Sequence, residues 1–349
     1  MATSDMEYNA NQQIAQFFEK TSTSRLTCDT YVKERLGKDA IPVAIQGVCS
    51  YTVFAGPELV AQFRLKSLQL KMEYINLAQT IYGHFAPQVD FKGQIGGNID
   101  GREPLYIYIM RRIPGITYLD FILAHSGAVP ENSPEFSSWR KNLVADIAKF
   151  FAISWRAPQD IEQTYYNQLS NRYEKELRLL LTSLPSRFQP IIQATLNSLP
   201  AILSLPMVLL HKDFGSCNIL VDETSCHLAG VVDWAEAEIA PFGLNLHSYH
   251  RLITKFHLKN GLFRFDDYME LEELFWNTFS YHAGGLTDET IGVIKSARIM
   301  GLLLSSGFTT RLKNMPEPTV IQDDESGAYN MLQLDGLLIN PATRFTELT

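Results

Sequence analysis

The sequence predicts an α+β chain in which a small antiparallel β-sheet part precedes a larger, mainly helical one. Three observations carry this. Between residues 41 and 110, short β-rich runs alternate with Gly/Pro turns. Beyond Thr117 the apolar residues recur at the three- and four-residue spacing of helices. Between 211 and 233 a few polar residues sit among short apolar runs, a pattern that serves chemistry rather than packing.

Residues 1–40 are polar and helix-compatible and read as an N-terminal helical extension. The small sheet part is expected over 41–110. IPVAIQG, SYTVF and LVAQFRL read as a meander, with the turn Ala55-Gly56-Pro57-Glu58 between the last two. A helix follows in SLQLKMEYINLAQTIYG, where Leu68, Met72, Ile75, Leu77 and Ala78 share a face, and it ends near Gly83. QVDFKGQI and LYIYIM supply two more strands. Residues 111–115, closed by Pro114-Gly115, read as a connector, and 116–315 as the helical part. There WRKNLVADIAKFFAISWRA places Leu143, Ile147, Phe150, Phe151 and Trp155 on one core-facing stripe. PFGLNLHSYHRLITKF, DYMELEELFWNTFSYHAG and TDETIGVIKSARIMGLLLSSGFTTRL read as three later helices. The tail, 316–349, is polar and is expected to wrap or fray.

The chemistry gathers in HKDFGSCNIL and GVVDW. His211, Asp213 and Asn218 have the spacing H-x-D-x-x-x-x-N, and Asp233 follows fifteen residues after Asn218. An aspartate beside an incoming hydroxyl orients it and accepts its proton. Magnesium favours oxygen ligands, which suits the Asn218 amide and the Asp233 carboxylate. Met207 to Leu210, Ile219 to Val221 and Leu228 to Val232 read as strands that hold the loop ends together, with His211 as a brace. The pattern points to phosphoryl transfer.

HKDFGSCNILVD followed by GVVDWAEAEIAPFG resembles the aminoglycoside phosphotransferase and choline kinase-like family, especially its fungal members. The resemblance implies a protein-kinase-like two-lobed fold with a small antiparallel N-lobe, a helical C-lobe, and ATP and Mg²⁺ as cofactors. It makes Asp213 the catalytic base and Asn218 and Asp233 the metal ligands. Lys212 stands where the family most often has glycine; beside the base it is a candidate substrate residue that would meet phosphate or an acidic acceptor, or else point to solvent. In such a fold a strand cation meets the nucleotide phosphates. Lys66, at the end of LVAQFRLK, is the first choice and Arg64 the second. Ser50 lies where a phosphate-covering turn belongs, and Met110 begins the connector whose main chain would receive adenine. Glu236 and Glu238 border the acceptor and suit a cationic one; Tyr249, His250 and Arg251 follow without a distinguishing pattern.

Composition bounds the rest. A formal net charge of −8 argues against nucleic acid as partner, and no apolar run approaches the ~20 residues of a membrane span. Four dispersed cysteines and a polar N-terminus fit a cytoplasmic chain. The expected partner is a small-molecule acceptor; oligomeric state is unassigned. Two other readings keep the fold: a non-phosphoryl cyclisation or condensation, and a pseudokinase-like binding protein.

Overall fold

The computed structural model describes residues 8–127, 129–257, 260–309 and 317–348. These divide into two units. One holds the described residues up to Asn76 together with Pro87–Ile113; the other holds Leu77–Ala86 and the described residues of Pro114–Arg311 and Pro316–Thr349.

The smaller unit is organised by strand alternation. Its strands β1 (Ala40–Pro42), β2 (Ser50–Ala55), β3 (Leu59–Leu65), β4 (Val89–Ile95) and β5 (Leu105–Arg111) form one antiparallel sheet in the order β1-β2-β3-β5-β4. Successive side chains leave a strand on opposite faces. The odd-numbered residues Tyr51, Val53, Ala61, Phe63, Leu65, Leu105 and Ile107 are therefore buried together. Two helices cover that face, α1 (Ala10–Glu19) and α2 (Arg25–Leu36), contributing Ile14, Phe17, Cys28 and Val32. Asn9 and Ser24 cap their first turns. The segment read as an extension is thus built into the sheet's core; its residues 1–7 lie outside the described residues. Full burial of each large side chain here is worth about 1.5–3 kcal/mol.

Two details differ from the sequence reading. β3 ends at Leu65, a 3₁₀ turn takes Lys66–Leu68, and helix α3 starts only at Met72 and runs to Tyr82. Lys66 is therefore off the strand, and two-residue alternation no longer relates it to Arg64. Met110 lies within β5, flanked by Val60 and Val89, rather than in an extended connector. The chain leaves the sheet at Arg112, whose N–H donates to the Glu58 carbonyl at 2.8 Å.

The larger unit is mainly helical. It holds α4 (Tyr118–His125), α5 (Pro134–Trp155), α6 (Gln163–Ser183), α7 (Gln189–Leu203), α8 (His250–Ile253), α9 (Tyr268–Ala283), α10 (Asp288–Ser306) and α11 (Ala328–Leu334). Ser133 caps α5 and Pro134 occupies its first position, where a missing N–H is harmless. The expected α5 stripe packs toward α9, with Phe151 edge-on to Phe275 at 6.3 Å. Short strands are set among these helices. β6 (Ile116–Thr117), β8 (Ile219–Val221) and β9 (Leu228–Val231) form one sheet; β7 (Met207–Leu210) pairs with β10 (Glu238–Pro241).

The region expected as a helix over PFGLNLHSYHRLITKF is broken up. It contains a 3₁₀ turn at Leu246–Tyr249, the single turn α8, and β11 (Thr254–His257), which pairs with β12 (Gly261–Arg264). Gly243, at φ 99°, turns the chain onto α10. There Gly301 lets the Leu244 carbonyl lie against the helix backbone, where a Cβ would overlap it. The tail is also more ordered than expected. α11 and the wider turn Asp335–Ile339 bury Met331, Leu334, Leu337 and Leu338. Asn314 and Pro316, where the tail was expected to begin, lie outside the described residues.

Candidate functional site

The loop between β7 and β8 is fastened from three sides. Phe214 is buried between the aromatic rings of α5, 5.8 Å from Phe150 and 5.2 Å from Phe151. Ser216 accepts a bond from the Leu119 N–H at 3.0 Å. The Gly215 carbonyl accepts from the N–H groups of Asn218 and Ile219. Apolar Phe214 thus holds the middle of the loop down, while polar Asp213 and Asn218 stay toward the surface.

Its two ends are joined to the end of β9. His211 is 1% exposed and its Nε2 donates to the Val232 carbonyl at 2.8 Å. The Val232 N–H in turn donates to the Asn218 carbonyl at 2.9 Å. Trp234, buried, lies edge-on to the His211 ring at 4.8 Å and donates Nε1–H to Val231. These bonds gather residues 211, 218 and 233 although they come from separate strands. Asp233 itself adopts the left-handed conformation, φ 60° and ψ 64°, which turns its side chain out of the β9 pattern.

Asn218 Nδ2 donates to both the Asp213 carbonyl and its Oδ2, each at 2.8 Å. The amide oxygen Oδ1 is left as an acceptor. Burial is the main influence on Asp213 and raises its pKa; the charge of Asp233 adds to the rise, while His211, Asn218 and Arg251 oppose it. His211 is pushed the other way. Burial lowers its pKa despite the Val232 bond and the nearby aspartates, so the ring is neutral and serves as a brace. A carboxylate held by an amide, with a second carboxylate in electrostatic range, can accept a proton while the amide and second acid offer oxygens to a metal. Among the described residues no group of three His, Cys, Asp or Glu forms a closed metal cage. The donor set fits magnesium, which takes one or two protein carboxylates and fills its shell with water and phosphate.

The remaining expected residues divide into two groups. Ser50, Arg64 and Met110 share the even-numbered sheet face of the smaller unit, opposite the helices. Ser50 faces Arg64 across β2–β3, and Arg64 faces Tyr106 across β3–β5. Arg64 is buried, its Nε donating to the Leu68 carbonyl at 2.7 Å and Nη1 directed to Gln62 at 3.4 Å. Lys66 is exposed, with Nζ 5.8 Å from the centre of the Tyr106 ring. In the larger unit, Lys212 and Glu238 meet each other. Lys212 Nζ lies 3.0 Å from Glu238 Oε2, and Arg172 of α6 takes Oε1. Burial alone would raise the Glu238 carboxyl, but Lys212 and Arg172 together overcome it and hold it below the usual range. Glu238 is thus already matched by two cations, whereas Glu236 is exposed.

Three contributors had no local signal. Asn245 Nδ2 donates to the His211 carbonyl at 3.3 Å. Arg172 is one polar residue in an amphipathic helix. Arg251, whose charge reaches Asp213, donates Nη2 to Gln333 Oε1 of α11 at 2.6 Å.

The phosphotransferase enzyme family matches residues 60–251, more than half of the chain, and the chain belongs to that family. Among solved structures, the chain is similar to aminoglycoside 2'-phosphotransferase-IIIa in its GDP complex. The identity is 15%, the alignment covers 90% of this chain and 98% of that one, and the TM-score is 0.50. It is also similar to an aminoglycoside phosphotransferase from Streptomyces rimosus, at 13% identity, 79% and 98% coverage and TM-score 0.46. The likeness to the first of these speaks for the fold alone, a kinase-like architecture of antiparallel sheet and helical part. No curated protein matches the sequence.

Proposed function

We propose that this chain transfers the γ-phosphoryl group of ATP to a hydroxyl of a small molecule, with magnesium. The observation that carries the reading is the Asp213–Asn218 clamp, tied to Asp233 through Val232 and His211. In the proposed reaction the acceptor oxygen bonds to the γ-phosphorus as the bond from that phosphorus to the bridging oxygen breaks. ADP leaves with that electron pair, and the hydroxyl proton passes to an Asp213 carboxylate oxygen. Asn218 orients the carboxylate by one hydrogen bond and holds the Asp213 main-chain carbonyl by another, and its own Oδ1 would join Asp233 as metal ligand. Bound magnesium would supply neutralisation of phosphate charge. The chain's own part is positioning and charge placement, as phosphoryl transfer demands.

For the nucleotide we assign the even-numbered sheet face of the smaller unit. Arg64 and Ser50 stand across from each other there, and the strand carrying Met110 leads out of the sheet at Arg112. Arg64 replaces Lys66 as the preferred phosphate contact, since it is the cation that the strand itself holds in place. The acceptor hydroxyl approaches Asp213 from solvent. Calorimetry tests the reading: ATP with magnesium binds the full chain, EDTA weakens the binding, and Asp233→Ala weakens it by about tenfold or more. No ATP binding by the wild-type chain would overturn it.

A further inference from the structure

The charges beside Asp213 differ from those expected of a site for a cation. Lys212, the residue before Asp213, remains 41% exposed while its Nζ meets Glu238. Glu238 also receives Arg172, so the trio carries one positive charge in excess. On α8, Arg251 is exposed, and its hydrogen-bond partner among the described residues is the neutral amide of Gln333. Gln333 is only 4% exposed. A buried amide thus steers one edge of the guanidinium without neutralising it. The rest of the fork stays open, and a guanidinium receives a carboxylate or phosphate through two parallel bonds. Arg251 also lies within electrostatic range of Asp213. Besides Asp213 and Asp233, which the reaction uses, Glu236 is an exposed carboxylate of this region, and it bears an interaction of its own.

We propose that the acceptor carries an anionic group, and that Arg251, steered by Gln333, receives it with Lys212 alongside. This rests on the phosphotransferase reading and deepens it: the substrate class is a hydroxylated carboxylic acid or phosphate ester, not a polyamine or amino-sugar. Lys212, in this account, both cancels Glu238 as a receptor for cations and adds positive potential next to the base.

The test sorts candidate acceptors by charge. A metabolite extract from the source cells is separated at neutral pH into anion-exchange-retained, cation-exchange-retained and unretained fractions. Each is offered to the full chain with ATP and magnesium while ADP release is followed. Acceptor activity is expected in the anion-retained fraction, and phosphatase treatment of that fraction separates phosphate esters, which lose retention, from carboxylic acids, which keep it. Arg251→Glu should raise the KM for that fraction about 10- to 100-fold, the worth of a hydrogen bond to a charged group. Arg251→Lys, which keeps the charge but not the paired bonds, should recover part of the loss. Activity confined to the cation-retained or unretained fractions overturns the acceptor class and leaves phosphoryl transfer standing. An unchanged KM in Arg251→Glu removes Arg251. ADP release in no fraction, with ATP binding intact, overturns the proposal and counts against phosphoryl transfer as well.

Discussion

His211 and His250 are both almost fully buried, yet the regions around them use polar groups in opposite ways. His211 spends Nε2 on a backbone carbonyl and leaves Asp213 and Asp233 beside solvent. His250 Nε2 lies 3.0 Å from Arg298 Nη1 and 2.9 Å from Glu272 Oε1, inside a sealed cluster. There Glu272 also accepts from Tyr249 and Trp276, and Arg298 reaches Glu347 near the C-terminus at 2.6 Å. The guanidinium lies 4.3 Å from the centre of the Phe345 ring. Arginine, glutamate and histidine here join α8, α9, α10 and the chain's last residues. The lesson is that burial decides the role. Charges that neutralise one another in the interior hold elements in register; charges left at the surface on buried supports remain available to a substrate.

That contrast can be broken from either side. The largest effect is expected at Arg298. Arg298→Met would leave the buried Glu272 charge without its arginine partner, at about 3–5 kcal/mol in denaturant unfolding. A loss under ~1 kcal/mol would mean that the cluster does not hold the unit together. Next comes pH. Burial lowers the pKa of His211 and His250, and brings that of His247 down to about 3. Groups depressed in the folded state bind more protons when unfolded, so stability is present above the ordinary histidine value and is lost as pH falls below it. Over the first unit below ~6.5, His247 alone should remove about 1 kcal/mol, and His211 and His250 add to the loss in the same direction. A flat unfolding midpoint between about pH 7 and 5.5 contradicts this.

Gly301→Ala probes the packing that positions the chain just after β10. Its Cβ would overlap the Leu244 carbonyl, so the fold should lose about 1–3 kcal/mol as the loop shifts from α10. An unchanged unfolding midpoint would show that α10 yields freely there. The smallest stability effect belongs to Asp213→Asn. Because the folded protein raises the Asp213 pKa, its ionised form is disfavoured relative to the unfolded chain above that pKa. Replacing it by the neutral amide should leave the midpoint unchanged or raise it at about pH 7. A fall would reassign Asp213 to the structural side of the comparison.

The two regions also differ in how far they were legible. The loop could be read because its chemistry is local: Asp213 and Asn218 are five residues apart, and short apolar runs announce the strands that hold them. Sheet alternation was legible for the same reason. The placement of Lys66 on the strand failed because it depended on one residue of strand length. Lys212 made sense only once the β7–β10 pairing, which sets Glu238 opposite Leu210, brought that carboxylate to the lysine just beyond β7. Glu272, Arg298 and Glu347 are ordinary residues in their own helices or tail. What unites them is tertiary contact, which leaves no spacing to read. α11 was missed because seven residues show too little periodicity against a polar tail.

Whether Asp213, clamped by Asn218, takes the acceptor proton is read most directly from the turnover of Asp213→Asn under saturating ATP and magnesium, with ATP affinity measured on the same sample. The expected outcome is that kcat falls by about 10²–10⁴ while ATP affinity stays within about twofold of wild type. Undiminished turnover in that variant would contradict it.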